Sequence, residues 1–182
     1  HCVTRRQRQM CIRDRSIKDY PKKGILFRDI TTLIKNSEAF EETVNQIVER
    51  SKNYKFDKIA AVESRGFVFA SAVSYILKKP FIMLRKKDKL PADTHSIDFE
   101  LEYGTATIEV HKDSISENES VLIIDDLIAT GGTAEAAAKL VEISKAKVSC
   151  FIFVINLFDL GGSDNLIKKG YKVENLIDFP GH

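Results

Sequence analysis

The chain has 182 residues, 43% of them apolar and 30% charged, with a net charge of +2. That is enough apolar material for one folded domain with its own core, and it excludes a wholly disordered polymer. No apolar run approaches the ~20 residues that a spanning helix needs, so a membrane-spanning helix is excluded, and no membrane partner is expected.

The positive charge is local. Residues 1–15 hold five Arg and one Asp and carry +4 alone, which leaves −2 for the remainder. This basic leader has no hydrophobic period and gives no support for a nucleic-acid partner. Recognisable domain sequence begins at Ser16. Residues 1–15 are therefore expected to be a non-native, unstructured leader, and residues 16–182 the domain. Cys2, Cys11 and Cys150 are far apart and lack any metal-ligand spacing. Cys150 falls in an apolar run and reads as a small buried hydrophobe, which fits a reducing cytoplasm.

In chain order, residues 17–33 read as loop and then a short extended segment, punctuated by Pro21 and Gly24. Phe27 stands there between Leu26 and Arg28, and by composition alone it would be core. Residues 37–50 read as an amphipathic helix capped by Ser37, with Phe40, Val44, Ile47 and Val48 on one face. Residues 58–62, KIAAV, read as a buried strand, and residues 67–77 as an apolar helix. Between them lie Glu63, Ser64, Arg65 and Gly66. A strand that turns into a helix leaves unpaired N–H groups and the positive end of the helix dipole facing the loop, which makes an anion site. One Arg in such a loop is ordinarily a surface ion pair.

Residues 80–84 form another predicted strand. The polar stretch after it alternates near 97–101 and 105–110 around Tyr103 and Gly104, which predicts a hairpin. Long polar segments of this kind inside compact domains are lids or disordered segments. The run Arg85, Lys86, Lys87 and Lys89 is either solvated surface or a clamp for a polyanion. His95 and His111 have no acid partner that would make a triad.

Residues 121–141, VLIIDDLIATGGTAEAAAKLV, organise the rest. An apolar strand at 121–124 is followed by Asp125 and Asp126, a loop at 127–131 and an Ala-rich helix. Gly131 and Gly132 let the backbone approach an anion, and the hydroxyls of Thr130 and Thr133 add donors. The two acids suit ribose hydroxyls or a hydrated metal. No Gly-Lys-Ser/Thr ends the loop, and G-x-G-x-x-G is absent, so neither nucleotide fingerprint applies. A lone G-G-T would be an ordinary turn. A strand at 147–155, a short helix or turn at 161–169 and a strand at 173–177 complete the chain, and residues 175–182 carry no readable signal. Alternating strands and helices predict an α/β fold: a mostly parallel twisted sheet with helices on both faces. Ligands belong beyond the carboxyl ends of its strands, where both anion loops lie.

The string DDLIATGGT at 125–133 closely resembles the phosphoribosyl diphosphate (PRPP) loop of type I phosphoribosyltransferases. FRDI at 27–30, ESRGF at 63–67 and LEYG at 101–104 precede it. With these, the chain resembles the adenine phosphoribosyltransferases from Ser16 nearly to its end. The resemblance implies the type I phosphoribosyltransferase fold, with a small N-terminal hood, a flexible hairpin lid and a homodimer. It implies purine salvage: adenine and PRPP give AMP and pyrophosphate, with Mg²⁺ reached through water near Asp125 and Asp126. By that likeness Asp125 and Asp126 hold the ribose, Glu102 handles the proton at N9, and Tyr103 covers the site. Ala129, Thr130, Gly131, Gly132 and Thr133 take the 5′-phosphate. Glu63, Ser64, Arg65, Arg85, Lys86 and Lys89 take pyrophosphate, with a cis peptide at Glu63–Ser64. Leu26, Phe27, Arg28 and Arg65 shape the adenine pocket. The alternatives are a transferase for hypoxanthine, guanine or xanthine, and a non-catalytic regulator of the same fold.

Overall fold

The structure is a computed structural model, and it describes residues 15–18, 26–101 and 104–181. Two short strands, β1 (Arg15–Lys18) and β2 (Leu26–Asp29), pair antiparallel as a small sheet of their own. Arg15, the last residue of the leader set apart above, is opposite Asp29 in that pairing, and residues 1–14 lie outside the described residues. Helices α1 (Thr31–Lys35) and α2 (Ser37–Ser51) follow.

The main sheet has seven strands. They are β3 (Lys58–Val62), β4 (Phe81–Lys86), β5 (Thr94–Leu101), β6 (Gly104–His111), β7 (Ser120–Ile128), β8 (Lys147–Leu157) and β9 (Val173–Phe179). Their order is β5-β6-β4-β3-β7-β8-β9. Pairings from β4 through β9 are parallel, while β5 and β6 form an antiparallel hairpin joined to β4 by the pairs Arg85–Glu109 and Lys86–Ile108.

Strands β3 and β7 are buried on both faces, which is why they read as continuous apolar runs. Alternation still sorts their side chains. Ile59, Ala61, Leu122 and Ile124 pack with Ile47 of α2 and with Phe69 and Val73 of α3 (Arg65–Leu77). Ala60, Val62, Val121 and Ile123 pack on the other face, against Ala137 and Leu140 of α4 (Gly132–Ile143). The crossover β3-α3-β4 leaves in one direction and β7-α4-β8 in the other. The strand order therefore reverses between β3 and β7, the place where α/β sheets open a crevice. Among the described residues, no helix is long and apolar enough to cross a membrane.

Four expectations shift. The cap of α2 is Asn36, whose Oδ1 accepts from the Ala39 amide at 2.9 Å, and Ser37 is already helical. Both residue types cap well, so the order Asn-Ser leaves the choice to the backbone, which is extended at Asn36. Helix α3 starts at Arg65, two residues earlier than its apolar run. Strand β7 continues to Ile128 because β8 pairs with it through Leu127–Ile155 and Ile128–Asn156, so Asp125 and Asp126 lie within the strand. Strand β9 runs on to Phe179, two residues past the predicted strand, because β8 pairs with it there through Asn156–Asp178 and Leu157–Phe179.

The capping assignment has a direct test in urea denaturation. Asn36→Ala is expected to cost about 1 kcal/mol. Ser37→Ala should stay within about 0.5 kcal/mol of wild type.

Candidate active site

Two strand-to-helix corners meet at the reversal point. The first is Glu63–Ser64, a cis peptide as the resemblance implied, which leads into α3. The second is the loop after β7, which leads into α4. Because β3 and β7 are neighbours in the sheet, the two corners open side by side. Neither helix is capped by a side chain: Ser64 and Gly131 occupy the cap positions without a side-chain hydrogen bond. The contrast with Asn36 on α2 is direct. Uncapped amides and two helix dipoles therefore face one cleft.

The cleft measures about 360 Å³ and is lined from the first corner by Val62, Glu63, Ser64 and Arg65. From the second come Asp125, Asp126 and all five predicted phosphate-loop residues, Ala129, Thr130, Gly131, Gly132 and Thr133. That volume is within the usual range for small-ligand sites. Gly131 has φ +93°, a left-handed conformation that only glycine adopts freely.

The two acids are deployed differently. Asp126 is 3% exposed, and its Oδ2 lies 2.9 Å from Arg65 Nε, an ion pair without hydrogen-bond alignment. Asp125 accepts the Asp126 amide through Oδ1 at 2.9 Å. Its carboxyl abuts Gly66, where a Cβ would fall 2.7 Å from Asp125 Oδ1 and 3.1 Å from the Ile124 carbonyl. Burial, reinforced by the charge of Asp126, pushes the Asp125 carboxyl well above the usual carboxylate range. Burial also raises Asp126, against the pull of the Arg65 guanidinium.

Arg85, Lys86 and Lys89 do not line this cleft, and the first two meet it through Glu63. The Lys86 amide donates to Glu63 Oε2 at 3.1 Å, and Arg85 Nε donates to the same oxygen at 3.2 Å. These bonds hold the Glu63 carboxyl below its ordinary range. Arg85 also donates to the Lys89 carbonyl at 3.3 Å. The turn carrying Lys89 is tied to the hairpin by Glu109, a buried carboxylate that accepts from the Asp88 amide and the Ser96 hydroxyl, each at 3.1 Å.

Glu102 and Tyr103 lie outside the described residues. Leu26, Phe27 and Arg28 are placed on β2 by their backbone. Sequence reading missed Glu100 and Phe153. Glu100 on β5 lines the cleft from the hairpin, and Phe153, opposite Asp125 on β8, lines it from the core. No local signal identifies Phe153, because its place depends on strand register.

Paired carboxylates thus line one cleft between two uncapped helix starts. The family model described as "Phosphoribosyl transferase domain" matches residues 31–180. The chain is 84% identical over 168 residues to the adenine phosphoribosyltransferase of Pelagibacter ubique (strain HTCC1062), covering 92% of this chain and 96% of that protein. It is similar to the crystal structure of adenine phosphoribosyltransferase from Thermoanaerobacter pseudethanolicus, with a TM-score of 0.91, 44% identity, and coverage of 94% of this chain and 99% of that one. The Saccharomyces cerevisiae enzyme, complexed with an imino-altritol bisphosphate and adenine, matches with a TM-score of 0.85 and 32% identity, over 93% of this chain and 97% of that one. The chain belongs to the phosphoribosyltransferase family and, within it, to the adenine phosphoribosyltransferases.

The raised Asp125 has a consequence for stability. A carboxyl whose folded pKa lies above its unfolded value costs stability as pH rises through the ordinary carboxylate range, and the cost is complete above the folded pKa. Asp125→Asn removes that cost and keeps the Oδ1 acceptor. Its melting temperature at pH 7 should exceed that of wild type, by about 2–4 °C for each kcal/mol relieved. The gap should narrow toward pH 4, about the unperturbed carboxylate value. A lower melting temperature at pH 7 would contradict the electrostatic reading.

Proposed function

We propose that this protein transfers the 5-phosphoribosyl group of PRPP to adenine, giving AMP and pyrophosphate, as a purine-salvage enzyme. The observation that carries the proposal is the single cleft shared by two uncapped helix starts. PRPP carries phosphate at both ends of its ribose and can bridge them. The amides of residues 129–133 bind the 5′-phosphate, which does not react and so positions the sugar. Ser64 and Arg65 meet the pyrophosphate at the other corner. As the C1–O bond breaks, positive charge builds on the ribose and negative charge on the leaving group. Asp125 and Asp126 lie between the corners, where they hold the ribose hydroxyls and offset that positive charge.

Arg85, Lys86 and Lys89 complete the pyrophosphate side. Glu63 keeps Arg85 at the rim until the more highly charged ligand arrives. On the hood, Leu26, Phe27 and Arg28 border the adenine, and the ring of Phe27 stacks on it. Glu102 takes the N9 proton, and Tyr103 closes over the site with the hairpin, keeping water from the ribosyl centre.

The acids fit Mg²⁺ in one particular way. Asp125 and Asp126 supply hard oxygens, and Asp126 Oδ2 is buried without a hydrogen bond. No group of three ligating side chains occurs among the described residues. Such a donor set suits an ion that keeps its waters and is held largely by substrate phosphates. Bound there, Mg²⁺ supplies neutralisation of the charge on pyrophosphate. We further propose a homodimer, supported by the exposed apolar side chains Tyr75 and Ile76 of α3 and Met83 of β4. A cytoplasmic setting agrees with the free, buried Cys150.

Incubation with PRPP, Mg²⁺ and each purine base in turn is expected to yield nucleotide and pyrophosphate with adenine. Nucleotide from a different base would reassign the substrate. Failure with every base, while ribose 5-phosphate still binds, would leave a non-catalytic regulator. Asp125→Asn should lower turnover by about a hundred-fold or more. Glu102→Ala should lower kcat with the KM for PRPP unchanged, and the reverse pattern would make Glu102 a binding residue.

A further inference from the structure

Behind the phosphate loop stands a second glycine corner with no part in the chemistry above. Strand β8 ends at Leu157, a 3₁₀ turn covers Phe158–Leu160, and Gly161, at φ +71°, leads into α5 (Gly162–Lys168). This brings Gly162 against the loop after β7. The Gly162 amide donates to the Ala129 carbonyl at 3.0 Å. A Cβ on Gly162 would fall 2.7 Å from the Gly131 nitrogen and 2.8 Å from the Thr130 carbonyl carbon, and closer still to the Ala129 oxygen. A Cβ on Gly131 would in turn lie 3.2 Å from both Cα and O of Gly162. Two backbones touch here with no side chain between them. Gly162 is buried yet does not line the cleft, so it meets the loop from behind. Next to it, buried Ser163 accepts a hydrogen bond from Asn175 Nδ2 of β9 at 2.9 Å.

We propose that Gly162, held in place through Ser163 and Asn175, is a positioning residue for the 5′-phosphate. A carbonyl oxygen turned toward a phosphate would repel it. The Gly162 amide engages the Ala129 oxygen, so the loop offers N–H groups to the anion in its place. The contact also restrains the loop before binding, which lowers the ordering cost of the complex. Affinity for the 5′-phosphate thus depends on a corner carried by different strands from those that carry the loop. This inference rests on the assignment of residues 129–133 to the phosphate, made above.

Calorimetric titration of ribose 5-phosphate and of pyrophosphate, each into wild type, Gly162→Ala and Asn175→Ala, tests it. Gly162→Ala is expected to weaken ribose 5-phosphate by about ten- to a hundred-fold. Pyrophosphate affinity should stay within about two-fold, because that corner is a separate one. In turnover, the KM for PRPP should rise while kcat and the KM for adenine hold. If Gly162→Ala does not fold, Asn175→Ala should show a smaller loss in the same direction. Hydrogen exchange on the wild type gives an independent reading: the Gly162 amide should gain protection together with the loop when ribose 5-phosphate binds. Unchanged ribose 5-phosphate affinity in a folded variant, an equal loss for both ligands, or no gain at Gly162 would overturn the proposal. Wild-type protein that binds no ribose 5-phosphate would overturn it along with the loop assignment. Protein that binds the sugar phosphate but forms no nucleotide would remove only the transfer reaction.

Discussion

A helix that begins without a capping side chain leaves amide donors unsatisfied, and this protein places two such beginnings next to each other. Parallel pairing of β3 with β7 fixes their spacing, and the opposite departures of α3 and α4 turn both toward the same crevice. Isolated, either corner would bind a generic anion weakly. Together, on the proposed function, they suit a ligand with negative charge at two ends. The acids within β7 line the same cleft as both corners.

The same arrangement costs stability. Asp126 is buried, Asp125 beside it is half-buried and of like charge, and both carboxyls are raised by desolvation. Arg65 offsets part of this through Asp126. A protein selected for stability alone would place amides or apolar side chains there. On the proposed function two acids are kept there for the ribose, as at other sites where local strain persists because the surroundings enforce it. The large apolar clusters on both faces of the sheet carry that burden.

Much of this was legible in the residues. The run KIAAV and the string VLIIDDLIATGGT each announce a strand, and the Gly-rich and Ala-rich stretches announce the turn and helix. Their meeting in one cleft could be argued from the rule that α/β ligands sit at strand carboxyl ends. What could not be read depends on long-range pairing. Phe153 enters the cleft only because its register sets it opposite Asp125. The strand reaches past the acids only because β8 continues beside it. Asp178 and Phe179 lie past the predicted strand, yet β8 holds them in β9. Asn36 and Ser37 are equally good caps, and only backbone conformation separates them. Glu63 shows a further gap: the motif marks it as a site residue, but its bonds to Arg85 and Lys86 follow from the pairing of β3 with β4.

The most direct measurement is a crystal structure of the protein with PRPP and Mg²⁺ bound in the absence of adenine. The account predicts one ligand spanning the cleft, its 5′-phosphate against the amides of residues 130–133 and its pyrophosphate at Ser64 and Arg65, with both Asp125 and Asp126 facing the ribose. Electron density that places both phosphate ends at one corner, or the sugar away from the two acids, would contradict it.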